Sequence, residues 1–422
     1  MVKNFNSIIL SSLILIFLLT AKVINLPESN LITLAVLNDL SKIEGKLISN
    51  PVKSSDKYYS VILQVTQCES YRNEKFSVCG KQKFLVPAEI IEAFYPDKLF
   101  SKNKNTGHLL PLEQGISIKA TIKTFSTEKQ ETIFIIDNII TSTYENSIRG
   151  NIYKFRGYCR IQFKRLMKDW GRAGGFLLAL LSGSKEYLDS KISNTFRHSG
   201  LSHILALSGM HLSLISSIAG IVENKSALKK IGLLLKVGTI ILFVWFAGIS
   251  PSLFRALITC LLISTCSFFN IPDADNITLL GTTFLVHMML RPVDFYNLGF
   301  LLSYCALLGI FIFSTFIKSK CSRFLPGYIG ESFSTSVSAN IFTAPICLKY
   351  FGFYSPSGII CTMVISPLIT IFLYSGILCM ILCFFIPNFS YLASHLLNFC
   401  YSIIIRIVDL FSFIPVVSIV NN

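Results

Sequence analysis

Hydrophobic and polar positions divide the chain into a polar part with short alternating runs and an apolar part with long unbroken runs. Between residues 41 and 144, apolar and polar positions alternate as in half-buried strands at residues 58–65, 83–86, 116–122 and 132–137. Turn residues such as Asn50 and Pro51 separate these runs. About five short strands within roughly a hundred residues predict an all-β domain, and an OB-like barrel is the leading candidate.

The segment that follows, residues 152–170, has helical periodicity. At about 100° per residue its apolar side chains share one third of the circumference, and most of its bases lie opposite, with Arg156 as the exception. One interpretation is a basic amphipathic helix in the membrane interface, with its bases toward lipid headgroups. Another, compatible with the first, is a surface that binds a phosphate backbone. The predicted DNA-binding bases are Lys154, Arg160, Lys164, Arg165 and Lys168.

Beyond residue 173 the pattern predicts membrane spans. Six lie at residues 201–222, 231–248, 252–269, 277–290, 298–317 and 333–350, and two further tracts, 356–387 and 389–420, each have room for a span and a partial second one. Residues 174–183 are too few to cross ~30 Å of hydrocarbon, which predicts a re-entrant or interfacial segment. The apolar run at residues 8–21 predicts an uncleaved anchor, the alternative being a signal-peptide core.

Basic loops predict the orientation of these spans. Loops containing Lys229 and Lys318 fall on the same side of the predicted bundle, and placing them in the cytoplasm puts the β domain outside. The prediction is a polytopic α-helical membrane protein with an N-terminal extracytoplasmic all-β (OB-like) domain. Its parts are an anchor and linker (1–40), the OB-like domain (41–150), the basic amphipathic interfacial helix (151–172) and a multi-span domain (173–422).

Composition excludes a soluble protein, because only 14% of the residues are charged and 52% are hydrophobic, whereas soluble domains carry about 25% charge. The net charge of +15 permits an anionic partner, although basic cytoplasmic loops alone make membrane proteins positive. Most of the twelve cysteines lie in apolar runs, as small packing residues do. Cys68 and Cys79 flank a predicted turn in the β domain, where a disulfide is consistent with an extracytoplasmic location.

Polar residues inside the apolar half concentrate between Thr195 and His211. A polar residue in the bilayer is costly and therefore marks a candidate site. Continued as one helix, this segment would present Ser199, Ser202 and His203 on one face, although its glycines also permit a break. Two interpretations of this cluster remain open: its side chains form hydrogen bonds between helices, or they line a polar pathway. No carboxylate accompanies the Ser/His pairs, and two histidines eight residues apart do not match a zinc-binding helix, which disfavours a hydrolase and a metal site.

Two further positions stand out in the apolar half. Arg255 lies about one turn into a predicted span, either reaching toward the interface or acting as a fixed cation that faces a path. Asp294 lies in a predicted outer hairpin, and a pairing with Arg255 is one hypothesis for it.

The block Phe-Arg-His-Ser-Gly-Leu-Ser-His-Ile-Leu-Ala-Leu-Ser-Gly-Met-His at residues 196–211 resembles the signature of the ComEC competence family of inner-membrane DNA-uptake channels. Residues 248–256 are similar to the family's second block and residues 299–304 to its third. The resemblance implies a channel subunit that translocates single-stranded DNA across the bacterial inner (cytoplasmic) membrane in natural competence, without cofactors or enzymatic activity. The residues expected to line or gate the channel are Arg197, Ser199, Ser202, His203, Ser208, His211 and Arg255.

The chain also departs from the family pattern. Many members continue into a metallo-β-lactamase-like domain with a His-x-His-x-Asp-His cluster, which the six histidines here do not form, so we expect no nuclease activity and a form lacking that domain. The implied partners are single-stranded DNA and membrane lipid, with an outer DNA receptor, a cytoplasmic motor, a separate nuclease and further copies of the chain as candidates. The alternatives are a transporter of a smaller anionic solute and a non-transporting membrane assembly protein that retains the fold.

Overall fold

The structure is a computed structural model that describes residues 7–20, 39–72, 74–92, 110–126, 132–206, 209–223, 229–272, 275–321, 326–386 and 388–418. Its internal contacts divide the chain into two units. The β unit contains Glu28–Leu178 and Ser184–Tyr187, and the helical unit contains Met1–Pro27, Ala179–Gly183 and Leu188–Asn422.

The elements follow one another in the order that the periodicity predicts, a short helix, then strands, then helices. The first group is α1 (Ser7–Thr20), β1 (Leu40–Leu47), β2 (Val52–Lys53), β3 (Tyr58–Ser70), β4 (Lys75–Pro87), α2 (Ala88–Glu92), β5 (Ser117–Ser126) and β6 (Thr132–Thr143). The second group is α3 (Ile148–Asp169), α4 (Gly171–Ser182), α5 (Ser190–His198), α6 (Gly209–Glu223), α7 (Lys229–Ala247), α8 (Pro251–Phe268), α9 (Asn276–Leu290), a 3₁₀ turn (Pro292–Tyr296), α10 (Leu298–Cys321), α11 (Gly327–Phe351), β7 (Phe353–Tyr354), α12 (Gly358–Phe385), α13 (Phe389–Ser412) and β8 (Val417–Ser418).

The β unit contains a closed ring of five long strands. β1 pairs antiparallel with both β3 and β5, β3 pairs with β4, and β5 pairs with β6. A parallel pairing of β4 with β6 closes the ring, so that each of these strands has a neighbour on both sides. Along β3, Val61, Leu63 and Val65 alternate inward and are fully buried. The predicted strands and the OB-like domain are confirmed.

In the apolar half, four helices among the described residues are long and apolar enough to cross a membrane, namely α8, α10, α12 and α13. The shorter helices α1, α4, α7 and α9 are also apolar. Large side chains on the long helices, such as Ile360, Ile371 and Leu378 of α12, are exposed, as expected where lipid covers a helix. The chain is a multi-pass α-helical membrane protein with an N-terminal β domain.

The two last hydrophobic tracts each form one helix, α12 and α13. β7, just before α12, pairs antiparallel with β8, just after α13. The first turn of α12 therefore lies near the last turn of α13. The short segment around residues 174–183 lies mostly in α4, whose Phe176, Leu177 and Leu178 are fully buried by protein. At 1.5 Å per residue, the twelve residues of α4 extend only about 18 Å.

The predicted anchor, α1, packs against α9. The Ser12 hydroxyl donates a 3.3 Å hydrogen bond to the Gly281 carbonyl of α9, and Leu19 lies in an apolar cluster with Phe284 and Met288. Ser12 also donates to the Ile8 carbonyl within its own helix, so its hydroxyl is satisfied in the apolar surroundings. That the segment is uncleaved stays a prediction.

The polar cluster between residues 195 and 211 does not continue as one helix. α5 ends at His198 and α6 begins at Gly209, with Gly200 between them at a φ of +75°. A Cβ on Gly200 would lie 2.8 Å from the Cα of Gly358, at the start of α12. The left-handed φ and the close approach to α12 both require a glycine at position 200. A residue with a left-handed φ does not continue a right-handed helix, so α5 ends before Gly200.

Candidate functional site

Three separate sequence blocks meet around Arg255 in α8. The side chain of Ser250 caps this helix by accepting a hydrogen bond from the Leu253 N–H, and the buried Arg255 follows one turn later. Its Nε donates a 2.7 Å hydrogen bond to the Ser303 hydroxyl of α10. Its Nη2 lies 3.1 Å from the position that a Cβ on Gly209, the first residue of α6, would occupy. Gly209 therefore allows the guanidinium to approach the first turn of α6.

The amino ends of three helices lie close to Arg255. Arg255 lies in the second turn of α8, it is hydrogen-bonded to Ser303 in the second turn of α10, and its guanidinium lies beside Gly209, the first residue of α6. The amino end of a helix carries a partial positive charge. The surroundings of Arg255 therefore combine a buried guanidinium with several positive helix ends.

The predicted lining residues of the first block occupy different environments. Ser199 is fully buried, and its hydroxyl donates to the Thr195 carbonyl at 2.8 Å, so it is hydrogen-bonded to its own helix. Ser202 and His203 are exposed in the segment between α5 and α6, whereas His211 is buried in the first turn of α6. Ser208 lies outside the described residues.

Arg197 and His198, at the end of α5, lie against an aromatic pair. The Arg197 guanidinium carbon is 4.8 Å from the ring centre of Phe353 and 5.9 Å from that of Phe351. The His198 ring is stacked on Phe353 with the two ring centres 5.9 Å apart. Arg197 and His198 are exposed, so cation and rings are accessible together. The sequence did not single out Phe353.

A second polar cluster surrounds His287, which is fully buried near the end of α9. One ring nitrogen lies 3.2 Å from the Tyr304 hydroxyl and the other 3.2 Å from Asp294 Oδ2. Arg291 Nε is also 3.2 Å from Asp294 Oδ2. The predicted pairing of Asp294 with Arg255 is therefore wrong, because the hairpin supplies a closer arginine and Arg255 bonds to Ser303 instead. Among the described residues, no group of three His, Cys, Asp or Glu side chains is arranged to hold a metal ion.

In the β unit, the basic face of α3 packs inward rather than outward. Arg160 Nε and Lys164 Nζ each lie 2.9 Å from the Glu113 carboxylate, and Lys164 also lies 3.1 Å from Glu186. Arg160 is 3% exposed and Lys164 8% exposed. Two of the five predicted DNA-binding bases are therefore not part of any surface, because a buried carboxylate of the barrel binds them. Lys154 is exposed, and Arg165 and Lys168 are partly exposed.

The buried charges shift the pKa values of Glu113 and Lys164. Burial alone would raise the pKa of Glu113, but the charges of Lys164 and Arg160 outweigh it and lower the pKa to about 2. Burial likewise acts to lower the pKa of Lys164, whereas Glu113 and Glu186 raise it to above its ordinary value. Glu113 and Lys164 therefore stay charged at neutral pH, within a network that joins α3 to the barrel.

In the amino-terminal half of α3 the exposed side is apolar, whereas Phe163 and Met167 farther along the helix are buried. Ile152 and Phe155, predicted to face away from the bases, are exposed, while Arg156 is buried and donates a 2.7 Å hydrogen bond to Gln114. The prediction of two faces is right, but the prediction that the bases of this helix point toward lipid headgroups is wrong for Arg160 and Lys164. The reason is the buried acceptor Glu113 on the barrel.

The predicted disulfide between Cys68 and Cys79 stays a prediction. Cys68 is buried on β3 and lies opposite Phe76 of β4. Cys79 belongs to β4, but its side chain lies outside the described part of the structure. The two residues are thus on paired strands, as the turn between them predicts.

Comparison with known proteins connects the helical unit to a family. The sequence model described as "Competence protein" matches residues 180–422. An uncharacterized protein of Aquifex aeolicus (strain VF5) is 26% identical over 257 residues, which is 61% of this chain and 58% of that protein. ComE operon protein 3 of Bacillus subtilis (strain 168) is 23% identical over 211 residues, which is 48% of this chain and 25% of that protein. The chain thus matches little more than half the length of one relative and a quarter of the other, and no solved structure matches it. Because the matched region covers more than half of the sequence and contains the residues around Arg255, the chain belongs to the competence protein family.

Proposed function

We propose that the helical unit conducts single-stranded DNA across the cytoplasmic membrane as a channel subunit during DNA uptake. Membership of the competence protein family supports a role in DNA uptake. The observation that carries the finer proposal is Arg255, a buried cation held where the three family-like blocks meet. A buried cation among helix amino ends suits a polyanion.

The exposed end of α5 has the chemistry of a single-strand contact. Single-stranded nucleic acid is bound without sequence preference by aromatic rings that stack on bases and by cations that bind the backbone. Phe353 and Phe351 supply rings, and Arg197 supplies a cation within 6 Å of both ring centres. A small anionic solute would need the cation but not the aromatic pair, and this favours DNA.

The end of the bundle that contains Arg255 faces outward in this proposal. Lys318 and Lys320, both exposed in the last turn of α10, lie at the opposite end. Basic residues near the ends of spans favour the cytoplasmic side. DNA would therefore reach Arg197 and Phe353 first and Arg255 next.

The test is DNA internalisation in a strain that lacks the gene and carries the wild-type or a variant chain. Labelled DNA that becomes resistant to external nuclease is measured, with membrane levels of each variant determined in parallel. We expect Arg255→Gln and Phe353→Ala to lower internalisation by an order of magnitude or more, and Phe353→Tyr to retain it because the ring remains. His203→Ala should also lower it, whereas Lys349→Ala, which removes an exposed cation in the last turn of α11, should not.

The comparison of Arg255→Gln with Lys349→Ala separates a specific cation from general positive charge. Equal losses in both would mean that only net charge matters. Wild-type internalisation by Arg255→Gln, at wild-type membrane levels, would refute the proposed path.

A further inference from the structure

The amino-terminal half of α3 exposes a stripe of large apolar side chains. Ser147 caps the helix, and Ile148, Ile152 and Phe155 that follow are 83%, 49% and 62% exposed. At about 100° per residue these three lie within about 60° of one another. We call them the α3 stripe. The aromatic Tyr158, 61% exposed, borders it.

The orientation of the α3 stripe is fixed by the opposite side of the helix. Arg160 and Lys164 are bound to Glu113, and Arg156 is bound to Gln114. Turning the stripe toward the barrel would expose these contacts to water and bury apolar side chains in their place. The stripe is therefore held outward by the charge network.

Exposed cations flank the α3 stripe on both sides. At about 100° per residue, Arg149 lies about 100° from Ile148 in one direction and Lys154 about 120° in the other, and both are exposed. Apolar side chains between cations, with a tyrosine at the border, are typical of a helix that lies in a lipid interface. The cations can bind the anionic phosphate groups of lipids. Tyrosine side chains are enriched at the depth of the lipid headgroups.

Along the chain, α3 is followed directly by apolar segments. Trp170 alone separates α3 from the apolar helix α4, and the chain then continues into the helical unit. The 22 residues of α3 extend about 33 Å, so every part of the stripe is within that distance of α4 along the helix. A lipid surface is present wherever the chain is inserted, whereas a protein partner would have to match both the stripe and its two cations.

We propose that the α3 stripe binds the surface of the bilayer in which the helical unit is embedded, at the boundary between headgroups and acyl chains. Arg149 and Lys154 bind the phosphate groups of anionic lipids on either side. The charge network around Glu113 determines which face of α3 meets the lipid. This inference is independent of what the helical unit transports.

The test uses single tryptophan probes in the full chain, reconstituted into nanodiscs of phosphatidylethanolamine and phosphatidylglycerol. A Trp245→Phe background removes the tryptophan of α7, and the fully buried Trp170 remains in every variant as a constant contribution. Ile148→Trp places a probe on the stripe, and Phe155→Trp is a second, more conservative probe. Tyr71→Trp is the matched control, because Tyr71 is 65% exposed in the turn after β3 of the same unit.

We expect brominated acyl chains to quench the Ile148→Trp and Phe155→Trp probes severalfold more than the Tyr71→Trp probe, and iodide in the buffer to quench them severalfold less. Equal iodide quenching of stripe and control probes would overturn the proposal, because the stripe would then face water. Protection from iodide without quenching by brominated lipid would also overturn it, and would indicate a second copy of the chain instead.

Discussion

Removing the carboxylate of Glu113 leaves Arg160 and Lys164 buried without the anion that they share, and the structure allows the cost to be worked out. Breaking a buried ion pair costs about 3–5 kcal/mol. The pKa of Glu113 gives a separate value: one pKa unit corresponds to about 1.4 kcal/mol, so lowering this pKa from 4.5 to about 2 corresponds to about 3 kcal/mol in favour of the folded state. We expect Glu113→Gln to lower the free energy of unfolding of the β unit by about 3 kcal/mol.

The same argument predicts a pH dependence with a definite sign. The folded-state pKa of Glu113 is lower than the ordinary value, so its contribution is complete above about pH 4.5 and is lost as the pH falls toward 2. The difference in stability between the wild type and Glu113→Gln should therefore be largest near neutral pH and should shrink through that range.

The measurement is pulse proteolysis of the full chain in nanodiscs across a urea series, following cleavage within the β unit. Glu145→Gln is the control, because it removes a surface pair with Lys46 at 2.7 Å that should contribute at most about 1 kcal/mol. Adding Lys164→Met to Glu113→Gln should restore part of the loss by removing a buried charge. The reasoning is refuted if Glu113→Gln costs no more than Glu145→Gln.

Two further predictions concern the backbone and the cysteines. Gly200→Ala should destabilise the helical unit by about 1–2 kcal/mol or more, since it combines a left-handed φ with a Cβ placed 2.8 Å from Gly358. Gly238→Ala is the control and should be tolerated, because there is open space around Gly238 in α7. The thermal stability of the two variants is compared by size-exclusion chromatography after heating. Cys68 and Cys79 should resist an alkylating reagent in the unfolded, unreduced chain and react after reduction, as mass spectrometry would show; alkylation before reduction would contradict the predicted disulfide.

The strands of the β unit could be predicted because their pattern is local. Along β3, the inward positions of Val61 and Val65 follow from the alternation of apolar and polar residues alone. The lengths of the apolar runs likewise predict α8 and α10, since a span needs about 20 residues.

The orientation of α3 could not be predicted in the same way. A helical pattern distinguishes two faces, but which face meets water depends on what the rest of the fold offers. Glu113 precedes Arg160 by 47 residues, and only the closed barrel brings it to the helix. The same holds for Arg255 and Ser303, which are 48 residues apart and meet through the packing of α8 and α10. The sequence identifies the polar residues between 196 and 211 as candidates, but it does not show which of them are buried and which are exposed.

The pairing of β7 with β8 limits how the helical unit can rearrange. α12 and α13 are joined by a short connection at one end and by backbone hydrogen bonds between these strands at the other, so the two helices form a closed loop of chain. Separating them at the strand end would break that pairing, and a displacement of one helix would pull the other with it. Under the proposed channel function, a passage would therefore widen more readily by movement of α6 or α8, whose ends are not tied in this way among the described residues, than by separation of α12 from α13.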